Sequence, residues 1–228
     1  MNRSKFVSFS LRLACLVAAP ALLAPAADAP KTSLQIRLER ETDGVWRTVD
    51  PRTVLESPAT IRFRFISSFP GYLYVLYKGS GGESGWLFPT EQTGADNRVE
   101  PGVPRTVPQT KGAFVIDGPP GFDITYWIVS PNPLPSLPSP ADFFGDRGTE
   151  ADTLIPKCRE GGLRPRGDSG CVDDRAGVAP YTGPSSTGPA VPLRARDIRF
   201  RSDTGETLIT PSRPSAGLVV YEFRIAHH

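Results

Sequence analysis

The chain has 228 residues, with 26 Lys and Arg against 24 Asp and Glu, 25 Pro, 22 Gly, three Cys and two His. So much Pro and Gly argues against long helices, and no stretch beyond residue 26 repeats apolar residues at helical spacing. Basic residues are interspersed with acidic ones, so no basic stripe is present to draw nucleic acid or an anionic membrane surface.

Residues 1–26 have the parts of a secretory signal: a basic start at Arg3, Lys5 and Arg12, an apolar run from Leu13 to Leu23, and small residues at Ala24 and Ala26. The run is short for a membrane span, so cleavage after Ala26 is expected, with a periplasmic or secreted product and no span left in it. Losing Arg3, Lys5 and Arg12 brings the 26 basic residues to 23 against 24 acidic, a near-neutral mature chain. Of the cysteines, only Cys158 and Cys171 lie beyond the signal. In an oxidising compartment two thiols this close in sequence are expected to pair. A loop of ~15 residues closed in this way is worth about 3 kcal/mol by restricting the unfolded chain.

Period-two alternation then runs along the chain. Leu34, Ile36 and Leu38 share a face in SLQIRLERE, and Asp43-Gly44 before VWRTV reads as a tight hairpin. Ile61, Phe63 and Phe65 point one way and Arg62 and Arg64 the other, a half-buried strand. GYLYVLYK, from Gly71 to Lys78, is apolar or aromatic on both faces. That suits a central strand covered on both sides, or one with a tyrosine face used for contact. GSGGESG (Gly79 to Gly85) is a hairpin loop leading to WLFP, and DNRVEPG follows. Ala113 to Ile116 and Asp123 to Val129 give two more strands around Gly-Pro-Pro-Gly. From Pro131 to Pro192 alternation stops, and the Pro, Gly and Ser content cannot build a core of its own. Strand pattern resumes at Asp197 to Ser202 and ends in GLVVYEFRIA, where Val219, Tyr221, Phe223 and Ile225 share one face. The expected fold is all-β: an antiparallel β-sandwich, immunoglobulin-like or jelly-roll-like. It forms one domain over residues 27–228, with a Pro/Gly-rich, disulfide-stapled insertion at 131–192.

The ordered run GYLYVLY, a Gly/Ser-rich loop, WLFP, DNRVEPG and GPPGFDITYWIVSPNPL resembles a bacterial family known as domain of unknown function 4384, over roughly residues 34–134. The resemblance implies a β-sandwich module of exported proteins, or one appended to caspase-like peptidases and protein kinases. It implies no catalytic residues, and it leaves out the Pro-rich insertion with its two cysteines.

Catalytic vocabulary is sparse. The two histidines, His227 and His228, stand at the last two positions, so no histidine base is expected inside the folded body. Gly167-Asp168-Ser169-Gly170 looks like the serine strip of trypsin-like proteases, but without a base it reads as a polar turn. The overlapping Arg166-Gly167-Asp168 tripeptide reads as chance. No Lys beyond the signal has a Ser three residues before it, and the glycines of residues 79–85 lie between strands, unlike a phosphate cradle. Carboxylates remain: Glu83, Glu91, Asp96, Glu100, Asp123, Asp142 and Asp146 fall in expected loops or at strand ends. A glycosidase needs two of them facing across a cleft. Asp96 with Asn97 is expected to make Asx turns rather than a calcium site. No metal or cofactor is expected.

Trp46, Trp86 and Trp127 sit among apolar neighbours on strands, so core packing is the expectation for each, with Trp86 nearest a sandwich rim. Candidate partner contacts are Trp86, Phe88, Asp96, Asn97, Phe143 and Phe144; the last two are adjacent in the Pro-rich stretch. The expected function is that of an exported, non-enzymatic interaction module of the bacterial cell envelope, binding protein or polysaccharide. The alternatives are a structural subunit of an envelope assembly that pairs through edge strands, and a carboxylate-based hydrolase.

Overall fold

Alternation shapes the chain from its first strand. β1 (Leu34–Thr42) turns Leu34, Ile36 and Leu38 inward. The two residues that follow, Asp43 and Gly44, take φ of 52° and 74° and pair Thr42 with Val45 of β2 (Val45–Val49). Positive φ at both central positions gives the turn a twist that matches the strands it joins. The computed structural model describes residues 33–137, 139, 155–157, 171–181, 198–203, 205–211 and 218–228. Residues 1–26, Cys158, Phe143 and Phe144 lie outside the described residues.

The chain continues through β3 (Ala59–Ser67), β4 (Gly71–Lys78), β5 (Ser84–Phe88), β6 (Arg98–Val99), β7 (Arg105–Val107), β8 (Phe114–Ile116) and β9 (Gly121–Ser130). After these come β10 (Gly177–Pro180), β11 (Ile198–Asp203), β12 (Glu206–Pro211) and β13 (Val219–His227). No helix occurs among the described residues. The first sheet runs β11-β12-β1-β3-β7, with β2 on β1 and β8 on β3; the second runs β10-β13-β9-β4-β5, with β6 on β4. The strand pairs are antiparallel. The protein is therefore all-β, two antiparallel sheets packed as a sandwich.

One core joins the sheets. Leu34, Ile36, Leu38, Ile61, Phe63, Phe65 and Ile209 come from the first; Leu73, Val75, Phe88, Trp127, Val129, Val219, Tyr221, Phe223 and Ile225 come from the second. Trp127 is its centre. It stacks on Phe65 (5.7 Å between ring centroids) and on Tyr221 (6.3 Å), with its edge to Phe63 at 5.1 Å. Its Nε1 donates to Thr125 Oγ1 at 3.0 Å, so the indole enters the core with its polar atom satisfied.

β4 is a central strand covered on both faces, between β9 on one side and β5 and β6 on the other. Its outward side chains Tyr74 and Leu76 are buried, Tyr74 with Ile128 and Val220 and Leu76 with Ile124 and Tyr126. The stretch beyond Pro131 contributes to that cover: Leu134 N donates to Tyr74 Oη at 2.8 Å, and Tyr181 meets Tyr126 edge to face at 5.9 Å. Part of the Pro/Gly-rich stretch also joins the sheet, because β10 pairs with β13 from Gly177↔Arg224 to Pro180↔Tyr221.

Trp46 differs from the sequence expectation. Residues at the far end of the β1–β2 hairpin leave the sandwich, so Trp46, opposite Glu41, lies outside the core. Its ring is covered by the Arg62 guanidinium at 4.2 Å, and Arg62 is held in turn by Glu39 at 2.6 Å.

Candidate binding groove along the open edge of the sandwich

Both sheets end on the same side of the molecule. β5 closes the second sheet there, and β8 beside β7 closes the first; no described strand pairs with the outer edge of β5. A β-bulge shapes this rim. Val75 pairs with Phe88 but the adjacent Leu76 pairs with Trp86, so Leu87 is the extra residue. As a result Phe88 and Leu87 both turn toward the core while Trp86 faces outward, half-buried, with its ring 6.4 Å from that of Tyr74.

Two cavities meet at the rim. One, of about 270 Å3, is lined by Ile61, Phe63, Tyr77, Glu83, Leu87, Phe114, Val115, Ile116, Asp117, Gly118, Asp123, Thr125 and Ile225. The other, of about 490 Å3, is lined by Tyr77, Trp86, Leu87, Thr90, Gln92, Thr93, Pro108, Gly112, Ala113 and Phe114. They lie side by side with Tyr77, Leu87 and Phe114 as shared lining, and together they are the edge groove. Its floor is apolar, one end carries Glu83, Asp117 and Asp123, and the other carries Gln92 and three hydroxyl or indole side chains. Neither lining includes a Lys or Arg. The three acids do not converge on a point: among the described residues no group of three or more His, Cys, Asp or Glu is placed to hold a metal ion.

The walls are braced by hydrogen bonds. Thr93 Oγ1 donates to Leu87 O at 2.5 Å, and Gly94 N to Thr90 O at 2.8 Å. The glycine-rich hairpin loop is closed by Gly79 N on Glu83 O at 2.8 Å and anchored by Ser80 N on Asp123 Oδ1, also 2.8 Å.

The expectation that no histidine enters the folded body is corrected by β13. His227 pairs with Gly121 at the end of that strand and is fully buried. Ser80 Oγ donates to Pro119 O at 2.7 Å, which leaves its lone pairs to accept from His227 Nε2 at 3.2 Å. The same Nε2 lies 3.3 Å from Asp123 Oδ1, and Ser57 Oγ lies 3.2 Å from Nδ1. These partners assign the proton to Nε2 and make Ser57 the donor to Nδ1. Hydroxyl, imidazole and carboxylate thus follow one another as in a hydrolytic triad. The ring, however, is shut off from solvent, neither Ser57 nor His227 lines either cavity, and the Ser57 N–H is engaged by His228 O at 2.9 Å. The cluster ties residues 55–57, the glycine loop, β9 and β13 together behind the groove wall.

The remaining predicted contacts divide. Trp86 lines the groove. Phe88 is 1% exposed in the core and offers no surface. Asp96 is exposed but stitches its own loop, accepting from Arg98 N as an Asx turn and from Arg105 Nη1, both at 3.2 Å. Those donors, the backbone N–H first, hold its carboxyl below the usual range. Asn97 accepts from Leu73 N at 2.8 Å through its backbone oxygen. Cys171 packs against Val54, Phe122, Ala176 and Ala226, and its carbonyl accepts from Val54 N at 2.8 Å.

Residues 56–133 match the family described as Domain of unknown function (DUF4384), and the chain carries a domain of that family over this stretch. It takes in β3 to β9, and with them the groove except for Ile225. Neither the curated proteins nor the solved structures hold a match to the chain.

Proposed function

We propose that this protein is an exported, non-enzymatic β-sandwich module of the bacterial cell envelope that holds a protein or polysaccharide partner in the edge groove. The observation that carries this reading is the pair of neighbouring cavities that share Tyr77, Leu87 and Phe114, on a rim where the outer edge of β5 is free of described partners. A concave cleft that sets apolar side chains beside polar ones is a usual form of ligand site, and this groove mixes the two. Export is supported by the signal-like residues 1–26, and with it a Cys158–Cys171 bridge in a periplasmic or secreted chain. Nucleic acid is no part of this reading, nor is a membrane span.

Pull-down from native envelope with the processed chain tests it, run beside a Val115→Arg variant, since Val115 lines the groove and is 55% exposed. A partner kept by the wild type and lost by the variant is the expected result. No specific partner, or the same one held equally by both, contradicts the reading. The native chain is further expected to begin at Ala27 and to weigh two hydrogens less than its reduced form.

The second reading, a carboxylate-based hydrolase, draws on Glu83, Asp117 and Asp123 lining one cavity. It requires new reducing ends from envelope polysaccharide that disappear in Glu83→Gln. The binding-module reading expects no such release.

A further inference from the structure

The charged side chains that line the groove are all of one sign. Some acids elsewhere are matched by arginines, Glu39 by Arg62, Asp50 by Arg52, Asp173 by Arg175, Glu206 by Arg37 and Glu222 by Arg224, and others, among them Asp43, Glu56, Glu91 and Glu100, are exposed with no salt bridge among the described residues. In the groove, Glu83 and Asp117 are exposed and, among the described residues, neither forms a salt bridge. Asp123, beside them, has only the buried His227 within ion-pair distance. A cleft lined by one sign of charge over apolar walls concentrates its field on whatever enters. Half-buried Leu87 and Phe114 and exposed Val115 give the groove apolar side chains that an apolar side chain of a ligand can meet. The strands on either side, β5 and β8, lie at sheet edges, where an extended backbone finds hydrogen-bonding partners.

We infer that the groove takes an extended, basic peptide segment of a protein partner, lying between the edges of β5 and β8 with apolar side chains on the Leu87 and Phe114 floor and Lys or Arg side chains toward Glu83, Asp117 and Asp123. This rests on the reading of the groove as a binding site, and it chooses protein over polysaccharide.

Two synthetic decapeptides test it, one alternating Val and Lys and one alternating Val and Glu, titrated into the processed chain while backbone amide NMR shifts are followed. The lysine peptide is expected to saturate, with shifts confined to residues 77–93 and 112–125, and to bind at least about tenfold more tightly than the glutamate peptide. Glu83→Lys with Asp117→Lys is expected to weaken it by about tenfold or more, and raising the salt to weaken it as well. Both side chains are exposed, so an unchanged unfolding temperature is the control for folding. Equal binding of the two peptides, no binding of the lysine peptide, indifference to the double variant, or shifts elsewhere on the sandwich would each overturn the inference. Capture of a polysaccharide or an acidic protein at Val115 in the envelope would leave the binding-site reading standing while removing this one. An unoccupied groove in the envelope would remove both.

Discussion

Asp173 sits 4% exposed and accepts from Arg175 through both of its oxygens, at 2.9 and 2.5 Å, as well as from the backbone N–H groups of Arg175 and Lys157 at 2.9 and 2.7 Å. The Arg175 guanidinium, helped by those two N–H groups and opposed by burial, pulls its carboxyl down to about 2. Since the unfolded value is near 4, the stabilisation is fully present above about pH 4 and is lost as pH falls through about 2. Asp173→Asn is therefore expected to cost about 2 kcal/mol at neutral pH, with the difference from wild type closing between pH 4 and pH 2 in urea titrations. A gap independent of pH would refute this. Two turn glycines make a second residue-scale prediction. Gly44, at φ 74°, has open space where a Cβ would sit, so Gly44→Ala should cost only the backbone term, about 1 kcal/mol. Gly205, at φ 80°, would place a Cβ 2.7 Å from Thr48 Cγ2 and 3.2 Å from Val49 O. Gly205→Ala should cost more, about 2 kcal/mol or above; equal losses in thermal unfolding would count against the packing argument.

Strands differ in how firmly they are held. β9 and β13 pair over nine residues and are flanked by β4 and β10, and β3 lies between β1 and its two short neighbours. Amide hydrogen exchange is expected to be slowest in β3, β9 and β13 and faster by orders of magnitude in β6 and β8, which hold one neighbour each; uniform protection would contradict the assigned sheet order. The same distinction governs what could be read from sequence. β1, β3 and β13 were legible because alternate side chains meet one core, as Val219, Tyr221, Phe223 and Ile225 do. β7, β10 and β12 were not. β7 is three residues framed by Pro104 and Pro108, and β10 lies inside the Pro/Gly-rich stretch. β12, ETLITP, begins directly after Gly205, and that glycine was the one cue to its hairpin with β11. These strands are defined by backbone pairing to distant segments, which leaves little mark on composition. His227 escaped notice for a related reason: its place follows from its register with Gly121, not from its position in the chain.

At the scale of the molecule, the site is a consequence of two sheets ending together. Sequence marked the glycine loop, Trp86 and the acids near it. It could not show that Tyr77, Glu83, Leu87, Phe114, Asp117 and Ile225 come together at one rim, because that depends on which strands lie at the edges and on the bulge that turns Leu87 inward. Phe88 was misread as a contact for the same reason, since strict alternation puts it on the face of Trp86 and only the bulge turns it into the core. The account as a whole holds that this sandwich works by keeping a partner in its edge groove. Two exposed valines allow that to be measured in place: Val115, 55% exposed, lines the groove, and Val45, 51% exposed, begins β2 and lies outside it. A photo-crosslinking amino acid is placed at each position in turn in the intact source cell, and its adducts are identified by mass spectrometry. The account predicts one specific adduct at Val115 and none at Val45; no adduct at Val115, or the same adducts at both, would contradict it.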